Sequence, residues 1–174
     1  MKLLRYGEMG KEKPGILDNN GKIRDLSSHI SDINGDTISK ESLNQIASID
    51  ISSLPLIPED TRLGSCVGNA GKFLCIGLNY SDHAAESGLP VPSEPILFSK
   101  ATSAIVGPND NVEIPRNSSE TDWEVELGII IGKKAKYIDE ANAQDYIAGY
   151  CVINDVSERA FQIKREGQWT KGKS

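Results

Sequence analysis

Two acids two residues apart, Glu124 and Glu126, interrupt the apolar run "TDWEVELGIIIGKK". An extended chain repeats its side-chain direction every second residue. Trp123, Val125, Leu127, Ile129 and Ile131 therefore share one face, and Glu124, Glu126, Gly128 and Ile130 the other. The first face is expected to be core. Outward Glu residues on a half-buried antiparallel strand need no function. But same-face neighbours sit about 7 Å apart, and two partly buried like charges are costly unless a cation lies between them. Carboxylate oxygens are what hard divalent ions such as Mg²⁺ take. A third acid, Asp155, ends another apolar run in "GYCVINDVSERAFQ". By itself Asp155 reads equally as a helix N-cap or as a carboxylate at a strand end that joins the other two. Arg159 and Gln162 follow it three residues apart, on one helix face. They are either donors for an anionic substrate or a solvated surface.

A second constellation lies in "IGLNYSDHAAESGLP", where a short helix is expected to start near Ser81 or Asp82 and to stop at Gly88 and Pro90. His83 and Glu86 share a face of it. A carboxylate beside an imidazole fixes its tautomer and lets it act as a general base; taken alone, a pair on a polar helix reads first as a surface His beside a surface Glu. Gly167, Gly172, Lys173 and Ser174 match the phosphate-loop spacing G-x-x-x-x-G-K-[ST]. That motif requires a strand before it and a helix after it. A helix is expected before it here, and Trp169 stands inside the loop, so no nucleotide site is assigned. With only His29 and His83 present, a multi-histidine zinc site is excluded.

The elements that must position these residues are short. "KEKPGILDNNGKIRDLSS" reads as a hairpin with Asn-Gly at its turn, and "SKESLNQIASI" as a helix. Strands are expected at "FLCIGL", "PILFSK", "NVEIP", "DWEVELGIIIG" and "YIAGYCVIND", and short helices at "YSDHAAESG", "DEANAQDYI" and "SERAFQIKREG". This mixture is α+β with a largely β core rather than an alternating βαβ fold. Residues 1–70 are expected to form a small N-terminal domain and residues 71–174 the domain that carries the chemistry. The 174 residues carry a net charge of −6 with the acids interspersed. That leaves no basic stripe for nucleic acid and no attraction to an anionic membrane. No apolar run approaches a membrane span, and "MKLLRYGEMG" is not a signal peptide. Three Cys without a C-x-x-C point to a reducing, cytoplasmic setting, with Cys75 and Cys151 as small core residues.

The segments "GLNYSDHAAESG", "DWEVELGIIIGKKA", "YIAGYCVINDVSERAFQ" and "WTKGKS", in this order, resemble the fumarylacetoacetate hydrolase family. The start "MKLLRYGEMGKEKPGILD" resembles its bacterial branch of ureidoglycolate lyases and 2,4-diketo-3-deoxy sugar acid hydrolases. The resemblance implies a mixed β-roll with short flanking helices, a homodimer when full length, and Mg²⁺ or Mn²⁺ as cofactor. It implies a small 2-oxo or 2-hydroxy acid as substrate. It implies that Glu124, Glu126 and Asp155 hold the metal, that His83 and Glu86 are the catalytic pair on a lid helix, and that Arg159, Gln162 and Lys173 meet substrate. It also implies that Ile130 lies under cover, and that the C-terminal part of the roll is missing. The reaction so implied is metal-dependent hydrolysis of a C–C bond in an acylpyruvate-type acid. The alternatives are ureidoglycolate cleavage to glyoxylate and urea, isomerisation or decarboxylation of a keto acid, and metal binding without turnover.

Overall fold

The computed structural model describes residues 1–174. In chain order, strands β1 (Leu3–Tyr6), β2 (Lys13–Leu17) and β3 (Ile23–Asp25) precede helix α1 (Lys40–Ala47). Then come β4 (Phe73–Gly77), α2 (Ser81–Glu86), β5 (Ile96–Lys100), β6 (Thr121–Asp122), β7 (Val125–Ile131), β8 (Ile147–Asn154), β9 (Ser157–Glu158) and α3 (Arg159–Gln162). The strands form one sheet in the order β1-β2-β3 and three pairs, β4-β5, β6-β9 and β7-β8. The class is α+β, as expected. The chain divides into two compact units.

One unit takes Met1–Ala70, Val106–Val112 and Val125–Ile153. Its meander is antiparallel, with Leu3 opposite Ile16 and Ile16 opposite Arg24. The Asn-Gly turn forms because Asp18 Oδ1 accepts from the N–H groups of Asn20 and Lys22 at 2.9 and 3.0 Å, the side chain mimicking a backbone turn. Helix α1 starts where Ser39 Oγ accepts from Ser42 N at 3.2 Å, which satisfies one of the orphan donors of a helix start. Its one buried residue, Ile46, joins Ile16, Leu26 and Leu54 in the core. Truncating Leu26, which is fully buried, is expected to cost about 2–5 kcal/mol.

A polar network closes this unit. Arg5 reaches Asp32 at 2.7 Å, and Arg62 reaches Glu12 at 3.0 Å and Asp110 at 2.6 Å. Burial pushes the Glu12 carboxyl up, but its backbone hydrogen bond and the Arg62 and Arg5 guanidiniums together hold it below the usual range. Hydrogen bonds from Arg62 and Gly107 lower Asp110, and those from Lys22 and Arg24 lower Asp18. All three carboxyls thus hold protons less tightly folded than unfolded. Their stabilisation is complete above the unfolded carboxyl range of roughly pH 4 and is lost as the pH falls through the lower folded values. Thermal melts followed by circular dichroism should show a constant melting temperature from pH 7 to 5 and a steep fall below pH 4. A melting temperature unchanged at pH 3 would contradict this account.

Strand β7 corrects one expectation. Its faces alternate as the sequence demands, but the apolar face is not core: Trp123, Val125 and Leu127 are 71, 68 and 59% exposed, and Ile129 and Ile131 follow suit. The face with Glu126, Gly128 and Ile130 is the more covered one. A period of two tells which residues share a face, not which face is covered. Here β7 pairs only with β8. The inner face closes tightly because Gly128 has no side chain: a Cβ there would lie 2.6 Å from Ile153 Cγ1 and 2.7 Å from Cys151 Sγ. Tyr150 and Val152 of β8 extend the exposed apolar surface, and such patches bind apolar partners. The chain is therefore expected to enhance the fluorescence of a hydrophobic dye, and Leu127→Lys with Val152→Lys to reduce that enhancement several-fold. Equal enhancement by the double variant would show that the dye binds elsewhere.

The other unit takes Gly71–Ile105, Glu113–Glu124 and Asn154–Ser174. Strands β4 and β5 are antiparallel, with Phe73 opposite Lys100 and Cys75 opposite Phe98. Alternation along β5 sends Ile96, Phe98 and Lys100 inward and Leu97 and Ser99 outward. Strands β6 and β9 pair through Thr121 opposite Glu158 and Asp122 opposite Ser157. The expected strand at "NVEIP" does not form; its Val112 and Ile114 are exposed, and Pro115 has no N–H to offer a ladder. "DEANAQDYI", in the first unit, folds as successive 3₁₀ turns rather than as an α-helix. No helix is long and apolar enough to cross a membrane.

Candidate metal centre

The segment that leaves β8 answers the question raised by Asp155. It is not a helix cap: Glu158 takes that position, its side chain accepting from Ala160 N at 3.2 Å. Asp155 instead extends the pairing of the preceding strand, its N–H donating to the Glu124 carbonyl at 2.8 Å, while Glu124 N donates to Asn154 Oδ1 at 3.1 Å. These two bonds fix Glu124 and Asp155 side by side. Glu126 lies two residues further along the same run. One carboxylate oxygen from each of Glu124, Glu126 and Asp155 lies within 4.8 Å of the other two.

Asp155 is 1% exposed, and an ionised carboxylate so buried must be paired. Two lysines do this, one at each oxygen. Lys100 Nζ donates to Oδ1 at 2.6 Å, and Lys173 Nζ to Oδ2 at 2.7 Å. Lys173 also donates to Glu124 Oε1 at 2.7 Å. That same Oε1 accepts from Ser157 Oγ at 2.6 Å and pairs with Arg159 at 3.0 Å. Burial raises the Glu124 carboxyl, but the bonds from Lys173 and Ser157 and the charges of Lys173 and Arg159 carry it below the usual range. Glu124 is therefore ionised at neutral pH, the form a cation needs.

The local chain explains how Lys173 reaches this point. The 3₁₀ turn Trp169–Gly172 packs on α3, and Gly172 permits the contact: a Cβ would lie 2.4 Å from the Glu158 carbonyl oxygen and 2.6 Å from Gln162 N. Trp169 meets Phe98 edge to face at 5.4 Å between ring centres, and the Lys173 ammonium lies 5.1 Å over the Phe98 ring. Lys173 and Gly172 thus belong to this carboxylate cluster and not to a phosphate loop.

Arg159 and Gln162 meet as their spacing implies, Arg159 Nη1 donating to Gln162 Oε1 at 3.0 Å. Arg159 also holds Asp122 Oδ2 at 2.8 Å. His83 and Glu86 lie on one face of α2, both exposed, with no hydrogen bond or ion pair joining them. Tyr80, rather than Ser81 or Asp82, is the residue at the helix start, and it makes no side-chain cap. The helix stops as expected: Leu89 N returns to the Ala84 carbonyl at 3.0 Å and Gly88 N to that of Ala85 at 3.1 Å. The residue missed in the sequence is Lys100. A lysine closing the apolar strand "PILFSK", in phase with Ile96 and Phe98, was the readable signal.

The donor set suits a hard divalent cation. Opposite ligands of an ion bound at about 2.0–2.6 Å are separated by roughly 4–5 Å, and the three oxygens lie within 4.8 Å of one another. An all-carboxylate set favours Mg²⁺ or Mn²⁺ over zinc.

Comparison with known proteins gives this geometry a context. Proteins of Burkholderia orbicola and Burkholderia cenocepacia, named no more specifically than as candidate hydrolases, are 61% identical to this chain over 173 residues, 99% of its length. The chain spans 61% of the length of those relatives. The fumarylacetoacetate hydrolase of Exiguobacterium antarcticum superposes on the whole chain with a TM-score of 0.77 at 31% identity, the match covering 62% of that protein. A 2-hydroxyhepta-2,4-diene-1,7-dioate isomerase of Mycobacterium marinum also matches the whole chain, at a TM-score of 0.69 and 32% identity, over 61% of its own length. Residues 72–174 match the family model described as fumarylacetoacetate (FAA) hydrolase C-terminal. A cluster built on two strand ends and braced by two lysines therefore sits within a chain that belongs to the fumarylacetoacetate hydrolase family, a family of enzymes.

Proposed function

We propose that this chain provides the metal-binding and acid–base part of a hydrolase that cleaves a C–C bond in acylpyruvate-type 2,4-diketo acids. The observation that carries the reading is the convergence of Glu124, Glu126 and Asp155, with Lys173 and Arg159 held against Glu124. Glu124, Glu126 and Asp155 would hold Mg²⁺ or Mn²⁺, which supplies a chelating Lewis acid for the substrate's carboxylate and 2-oxo group and for the charge of the departing enolate. Lys173, Arg159 and Gln162 are the donors beside that chelate, and a guanidinium is suited to a substrate carboxylate. His83 would take a proton from water, with Glu86, which does not bond it in this structure, turning along the shared helix face to orient the other ring nitrogen. The water oxygen adds to the distal carbonyl, and the C–C bond between that carbon and the methylene breaks. The bond's electron pair leaves with pyruvate as its enolate, which is then protonated at carbon. The other product is a carboxylic acid.

Residues 71–174 are in this reading the first part of the catalytic domain, preceded by a small domain of residues 1–70. The family match from residue 72 supports that division. A cytoplasmic homodimer belongs to the same reading. Isomerases among the matching structures favour one rival, keto–enol isomerisation of an unsaturated dicarboxylic acid at the same chelate. Product analysis separates the candidates. With Mg²⁺ present, an acylpyruvate is expected to yield pyruvate and a carboxylic acid in equal amounts. Glyoxylate and urea from ureidoglycolate, or isomerisation with no bond cleaved, would replace this reading; no product from any of the three would leave a metal-binding chain without turnover.

A further inference from the structure

Lys100 differs from Lys173 in one respect. Lys173 touches two of the clustered carboxylates, Asp155 and Glu124. Lys100 touches Asp155 alone, and its other bond, 2.9 Å long, goes to the Val156 carbonyl. It is 8% exposed, and its position is set by the strand register, since it closes β5 two residues beyond Phe98. Its contact with the cluster runs through the one carboxylate it grips.

We infer that Lys100 is a built-in counter-ion for Asp155, which holds the cluster together without metal and weakens its attraction for a divalent cation. The inference rests on the metal reading above. Three carboxylates within 4.8 Å of one another repel, and Asp155 is too buried for water to screen it. Lys100, Lys173 and the Arg159 guanidinium already set positive charge against Asp155 and Glu124. A divalent ion then brings two positive charges to a cluster already largely neutralised, and affinity at oxygen sites follows ligand charge count. Lys100 and the ion are thus antagonists at one carboxylate. Lys100 is a positioning residue: it fixes the Asp155 oxygens before metal arrives and keeps the ion exchangeable.

The test uses the whole chain and two readouts that need no turnover, the melting temperature with EDTA or Mn²⁺, and the Mn²⁺ dissociation constant from electron paramagnetic resonance. Lys100→Met keeps the length of the side chain and removes its charge. In EDTA its melting temperature is expected to fall by about 10 °C, because Asp155 keeps Lys173 at Oδ2 but loses its buried counter-ion at Oδ1. Mn²⁺ should restore most of that loss and bind about tenfold tighter than to wild type, one charge having been freed. Lys100→Arg keeps the charge and should stay within about threefold of wild-type affinity. Should Lys100→Met not fold in EDTA, refolding it with Mn²⁺ present should rescue it, and failure to do so overturns the inference. Mn²⁺ affinity in Lys100→Met that is unchanged or weaker also overturns it, because Lys100 is then only a structural pair. Wild type that binds no Mn²⁺ at all overturns the metal reading itself, and this inference with it.

Discussion

Replacing His83 by Ala, in a chain that turns over, lowers kcat about 10²- to 10⁴-fold, the usual worth of a positioned general base. The melting temperature and the Mn²⁺ affinity stay near wild type. The expected separation of effects comes from the structure of α2. His83 is exposed and makes no side-chain bond, and the only buried residue of the helix is its neighbour Ala84. Removing the imidazole therefore leaves no cavity and no stranded partner. His83 is also not among the clustered carboxylates, so metal affinity has no reason to change. Glu86→Gln should lower kcat by less, because the amide oxygen still accepts a hydrogen bond from the ring. Steady-state release of pyruvate from an acylpyruvate measures both. Wild-type turnover in His83→Ala would remove His83 from the chemistry and leave it a surface residue on a short helix.

The second large effect is on stability. Asp155→Asn leaves the Lys100 and Lys173 ammoniums, both nearly buried, facing an amide in place of a carboxylate. Breaking a buried pair from one side costs about 3–5 kcal/mol, a large part of the stability of a domain this size. One variant should thus lose stability and metal binding together. Lys100→Met combined with Asp155→Asn should recover much of the stability and none of the metal binding, because it removes the stranded charge but not the missing ligand. Urea unfolding of the three proteins, read with one denaturant slope, gives the values. A single variant Asp155→Asn as stable as wild type would mean that the two lysines find other partners.

Much of this site was legible one residue at a time. The alternation in "TDWEVELGIIIGKK" placed Glu124 and Glu126 on one face, and helical spacing placed Arg159 and Gln162 on one face. What was not legible was which face is covered. Apolar residues at 123, 125, 127, 129 and 131 are the natural core by composition, yet they are the exposed set. The acidic face is inward because counter-charges arrive from far along the chain, from Lys100 at the end of β5 and Lys173 after α3. No local window around residue 124 contains either. Asp155 shows the same limit: its neighbours fit a helix cap, and only the bond from its N–H to Glu124 reveals it as the continuation of a strand pair. Local signals did suffice where the bonds are local, as in the Asp18 turn and the Ser39 cap.

The central claim is that three carboxylates form one cation site, and titration of metal-free protein with Mn²⁺ tests it most directly. Glu126→Gln removes one anionic ligand at constant size and leaves in place the bonds of Asp155 to both lysines and of Glu124 to Lys173. Wild type is expected to bind one Mn²⁺ per chain, competed by Mg²⁺, and Glu126→Gln to bind at least tenfold more weakly. Equal affinity in the two proteins would contradict the account and return Glu126 to the role of an ordinary polar residue on a strand.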